Sequence, residues 1–141
     1  MTGVQTCALP ICTIAGAIVF FLLGWLVYGH LLADFMRHHS GEKGPIGRTE
    51  IKFGYLIAGH VLQALLLTYI FLKSNVSSLA GGLIMGAVVG FLMCAAIDFI
   101  MYGTSFIMSK KELAADVLAA TLIFAVAGAV IGALTGDSKK S

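Results

Sequence analysis

The chain has 141 residues, 59% of them hydrophobic and only 11% charged, with a mean hydropathy of +0.97. A soluble domain carries about a quarter charged residues, so too few polar groups remain here to coat a globule, and the apolar surface must face lipid. The net charge of +2 is small, and no basic stripe with interleaved aromatics occurs, which leaves out nucleic acid as a partner.

In chain order, residues 1–11 (MTGVQTCALPI) match what a common sequencing adapter gives when translated. They lack the basic n-region of a signal peptide. Residues 1–12 are therefore treated as an artefact, with the first helix entered near Thr13. A helix crosses the hydrocarbon core with about 20 apolar residues. Four segments qualify: 13–33, 53–72, 79–102 with Asp98 as its charge, and 113–136 with Asp116 as its charge. No strand-like alternation is present, and helices satisfy their backbone groups within one segment. The expectation is all-α: one four-helix transmembrane domain over 13–136, with a polar tail at 137–141.

The connections are 37–52, 73–78 and 108–112. Arg37, Lys43, Arg48, Lys52, Lys110 and Lys111 fall on one side, and Lys73, Lys139 and Lys140 on the other. The bias places the first side in the cytoplasm and both termini outside, in a bacterial inner membrane. Trp25, Tyr28, Tyr69 and Tyr102 stand near span ends, as interfacial aromatics do.

The third span carries Gly82, Gly86 and Gly90, and the fourth carries Gly128, Gly132 and Gly136. In lipid, burial gives helices no drive to associate, and small residues let backbones approach closely. Two such rows on consecutive spans predict a glycine-zipper hairpin. Extended by fours, Gly82, Gly86, Gly90, Cys94, Asp98 and Tyr102 run against Gly136, Gly132, Gly128, Phe124, Ala120 and Asp116. Such rows drift by about 40° per step, so the pair should touch at its glycines and part beyond them.

Ionisable residues within spans are costly and usually face a bundle interior or water. Here they are His30, Asp34, His60, Asp98 and Asp116, with Gln63, Thr104 and Thr121 as uncharged companions and Tyr102 beside Asp98. The topology sends the titratable groups to one half of the bundle, opposite the glycines. Two carboxylates in one dry site cannot both ionise cheaply, and a neighbouring histidine can exchange protons with them. That is the pattern of a proton or cation site. The plainer alternative puts Asp34 and Asp116 at the headgroup boundary, Asp116 near a helix N-terminus, His30 at the interface, and Asp98 bonded to Tyr102 or His60.

His30, Asp34 and His38 recur at i, i+4, i+8, a weak metal-ligand row that runs into a Gly- and Pro-containing loop. No metal or other cofactor is expected. Cys94, alone inside an apolar span, reads as a small packing residue. No HExxH, Gly-x-Ser-x-Gly, P-loop or CxxC pattern occurs, so no enzyme is expected. Tyr28-Gly29-His30 is weakly echoed by Tyr102-Gly103-Thr104, and His60-Val61-Leu62-Gln63-Ala64 by Asp116-Val117-Leu118-Ala119-Ala120. Two tandem hairpins would give such echoes, as does chance in apolar sequence.

The run Gly24-Trp25-Leu26-Val27-Tyr28-Gly29 resembles the opening span of small bacterial membrane proteins grouped as domain-of-unknown-function family 1761. The resemblance implies four helices closing with Gly/Ala-rich third and fourth spans. It departs where Gly29-His30 replaces a proline, and it implies no activity and no site residues. Two functions are therefore expected in parallel. One is a small proton- or cation-linked transporter or channel-like subunit. The other is a non-catalytic membrane protein serving a homo-oligomer or a larger membrane complex.

Overall fold

The computed structural model describes residues 3–40 and 50–140; Lys43 and Arg48 lie outside the described residues. Every regular element among them is helical: α1 (Gly3–Leu26), a π-helical turn (Val27–Leu31), α2 (Ala33–His39), α3 (Phe53–Lys73), α4 (Leu79–Thr104) and α5 (Lys110–Lys140). Four are long and apolar enough to cross a bilayer, over Leu9–Leu31, Phe53–Lys73, Leu79–Thr104 and Lys110–Asp137. The chain is a multi-pass α-helical membrane protein. Its first span begins four residues before Thr13: α1 runs through Pro10, and Cys12 is fully buried with Sγ 3.8 Å from Thr135 Oγ1.

Local chemistry explains where the helices stop. Asn75 holds φ at 56°, the left-handed conformation that closes a helix, and Val76 N–H bonds back to Phe71 C=O at 3.0 Å. Three residues on, the Ser78 hydroxyl accepts from Gly81 N–H at 3.1 Å and caps α4. At the other end, Ser109 and Glu112 form a reciprocal capping box before α5, with Glu112 N–H to Ser109 Oγ at 3.2 Å and Ser109 N–H to Glu112 Oε2 at 3.4 Å.

α5 is the hub, packed along α4 on one side and α1 on another, while α1 also packs on α3. Just over half of the α5 span is buried (56%), against 22% for α1 and for α4. Gly16 marks the three-helix junction, where a Cβ would lie 3.0 Å from Ile131 Cγ1 on α5 and 3.2 Å from Ala64 Cβ on α3. The core is aliphatic and aromatic: Phe20, Leu67, Phe71, Phe124 and Ile131 are closed off from the surface.

The glycine rows do meet, one to one and a half turns away from the expected register. A Cβ on Gly82 would strike the Gly128 carbonyl and reach 3.0 Å from Gly132 Cα; on Gly86 it would strike the Phe124 carbonyl. Gly136 lies against the backbone of Ser77, beyond the start of α4, and Gly90 against Phe124. The cause is the connection. Five residues, 105–109, join α4 to α5, so residues equally distant from Ile107 must face each other. Aligning the rows by their glycines ignored that constraint. The expected parting beyond the glycines also fails, because Asp98 and Asp116, nine residues either side of Ile107, remain neighbours.

Candidate intramembrane polar site

A cavity of about 620 Å³ lies between the helices in the half of the bundle away from the glycine contacts. Tyr28 of the π turn, His60 and Gln63 of α3, Asp98 of α4 and Asp116 of α5 all reach it. Each of the three ionisable groups sits about two turns from its helix end, so they share one level in the membrane. Among the described residues, no lysine or arginine lines the space.

Asp98 is the most enclosed of these groups. It is 4% exposed, and its Oδ2 has no hydrogen-bond partner among the described residues. Its carboxyl lies beside Asp116, which is half-buried and also has the Tyr28 hydroxyl close by. Two unit charges about 4 Å apart repel by roughly 4 kcal/mol at an effective dielectric near 20. A proton or another cation beside the oxygens relieves that repulsion.

His60 is fixed by neighbours from two helices. Its Nδ1 lies 3.0 Å from Gln63 Oε1, one turn along α3. An amide oxygen only accepts, so with the amide in this orientation Nδ1 carries the proton and Nε2 of the neutral ring is left as an acceptor. Phe20 stacks parallel to the imidazole at 6.4 Å, and Phe21 meets it edge-on at 6.0 Å. Gly24 gives the ring room: a Cβ there would stand 3.3 Å from His60 Cε1 and 3.4 Å from Nε2.

Tyr28 was expected at the interface and instead points inward. The backbone supplies the reason. Leu32 N–H bonds to Val27 C=O at 2.7 Å, five residues back rather than four, so one extra residue is fitted into the last turn. That bulge rotates the chain and carries Tyr28 and Gly29 onto the cavity wall beside Trp25.

The remaining expected site residues lie elsewhere. His30 is exposed, its ring meeting Trp25 edge-on at 4.5 Å. Asp34 is exposed on α2, 4.0 Å from Arg37. Tyr102, expected beside Asp98, is 39% exposed and faces the 105–109 turn, since a step of four along the row rotates it off the seam. Thr104 and Thr121 bond their own helix, at Ile100 and Val117 C=O. The row His30, Asp34, His38 is broken by the π turn, and among the described residues no three His, Cys, Asp or Glu side chains gather as a metal site. Cys94 lines the cavity beside Asp98 rather than only packing the seam.

No family model, curated protein or solved structure matches this chain. The chemistry of the cavity rests on its own residues.

Proposed function

We propose that this chain is a small ion-linked transport protein of the bacterial cytoplasmic membrane, taking up and releasing a proton or cation at Asp98 and Asp116. The observation that carries this reading is the carboxyl pair, with an unpartnered oxygen on Asp98, at the wall of an intramembrane cavity. An aspartate at mid-helix costs about 2.5–3.5 kcal/mol on insertion scales. A purely structural role gives no reason to incur that cost twice at one spot, with like charges adjacent.

In this reading His60 is the relay. Its free Nε2 accepts a proton at the cavity while Gln63 holds the ring, and Tyr28 steadies Asp116. The bias of basic residues supports an orientation with the 105–109 turn, and with it the cavity, nearer the cytoplasm and both ends of the chain outside. A four-helix unit encloses little volume and exposes apolar flanks, which suits assembly with further copies of itself.

The test is Asp98→Asn in liposomes loaded with a pH-sensitive dye. Loss of proton movement, with wild-type yield and thermal unfolding, is expected. Unchanged proton movement overturns the proposal, and a variant that fails to fold assigns Asp98 to structure.

A further inference from the structure

Resting on the reading of Asp98 and Asp116 as an ion site, we infer that the cavity binds a monovalent organic cation with an apolar body, its charge held by Asp98. Three observations converge on that ligand class.

The first is charge: among the described residues, two carboxyls face the space and no lysine or arginine does, which suits a compensating cation from outside. Asp98 lines that space, is 4% exposed, and keeps a buried Oδ2 with no hydrogen-bond partner among the described residues. The Tyr28 hydroxyl stands beside Asp116, while Asp98 has an oxygen with no hydrogen-bond partner among the described residues.

The second is the wall. Phe20, Trp25, Phe124, Ile97 and Ile123 line the same space. A small hydrated ion gains nothing from such a surface. A hard divalent ion takes six or more oxygens, and the described residues gather no such ligand set. An ammonium or phosphonium with hydrocarbon or aryl substituents gains apolar contact on all sides, and aromatic faces attract its charge. The volume, about 620 Å³, lies within the range of sites for organic molecules.

The third is access. α3 and α4 scarcely touch, and Leu56 and Gln63 on one side face Ile97 and Asp98 on the other. The cavity is thus least closed towards the bilayer between these two helices. Outside α1 and α3, His60 also borders a wholly apolar groove with Ile18, Phe21 and Ile57. A cation soluble in lipid can reach a site of this kind sideways, whereas an inorganic ion cannot.

Full-length protein in detergent is titrated with tetraphenylphosphonium, followed by calorimetry and by emission of Trp25, the one tryptophan of the chain and part of the cavity wall. Saturable binding is expected, weakened at least tenfold by Asp98→Asn and by acid, with a proton released as the cation enters. The neutral triphenylphosphine oxide should compete poorly. Modification of the wild-type carboxyls by a lipid-soluble carbodiimide should slow when the phosphonium is bound, which reads the same contact without any variant. Equal binding to folded Asp98→Asn, or no protection from the carbodiimide, overturns the inference. Absence of phosphonium binding while Asp98 still changes protonation in infrared difference spectra overturns the organic cation and leaves the ion site standing. Absence of both overturns the two readings together.

Discussion

Tyr28 shows how one side chain decides what the cavity is. Its hydroxyl stands beside Asp116 at the cavity wall, placed to donate to that carboxylate. A hydrogen bond to a charged group is worth about 1.5–3 kcal/mol. Tyr28→Phe keeps the ring and its packing while removing that donor. The variant is expected to lose about 2 kcal/mol of stability, seen as a lower midpoint in detergent unfolding, and to retain the helical circular dichroism of the parent. An unchanged midpoint would show that Asp116 does not depend on Tyr28. Of the polar side chains, His60, Asp98 and Asp116 were legible in the sequence, because an ionisable group in an apolar span stands out against its neighbours. Tyr28 was not, because its direction follows from one hydrogen bond of unusual length along the helix, and no periodicity records that. His30, Asp34 and Tyr102 failed for the opposite reason. They occupy the right stretch of chain, but rotation about the helix axis carries them outside.

At the scale of elements, the α4–α5 seam is the best-defined contact, and its glycines divide into two sorts. Those on the seam face backbone: at Gly82, Gly86, Gly128 and Gly132 the obstacle is a carbonyl or Cα of the other helix, which cannot swing aside. Gly59 on α3 faces open space, with nothing within 4 Å of a Cβ. The same change therefore has opposite signs at the two sites. Gly86→Ala forces the helices apart and is expected to cost about 1–3 kcal/mol by overpacking, while Gly59→Ala is neutral or stabilising by up to about 1 kcal/mol through helix propensity. Unfolding curves of the two variants in one detergent check the contrast, and equal effects would mean the seam is not as close as described. The rows themselves were plain in the sequence. Their register was not, since it is set by the five-residue connection and not by the glycines. The slip of more than one turn matters functionally, because it brings Asp98 to Asp116 where the row-on-row alignment had set Ala120 opposite Asp98.

The whole molecule is arranged end to end by polarity. α5, with 31 residues, is roughly 46 Å long, more than the ~30 Å hydrocarbon core, so its two ends reach the two aqueous faces. One end meets Ser77, near Lys73; the other begins at Lys110 and Lys111, on the same end of the bundle as Lys52 and α2 with Arg37. Positive residues near span ends are retained in the cytoplasm, so the proposed orientation has the more basic end facing inward and the cavity nearer that side. Phe106→Cys in the 105–109 turn and Ser74→Cys in the α3–α4 turn, each with Cys7, Cys12 and Cys94 replaced by alanine, report the two faces separately. In intact cells a membrane-impermeant maleimide is expected to label Ser74→Cys at once and Phe106→Cys only after the membrane is broken. The reverse pattern would place the carboxyl pair near the outer face, and the proton would then enter Asp98 from the opposite compartment, with uptake and release exchanged.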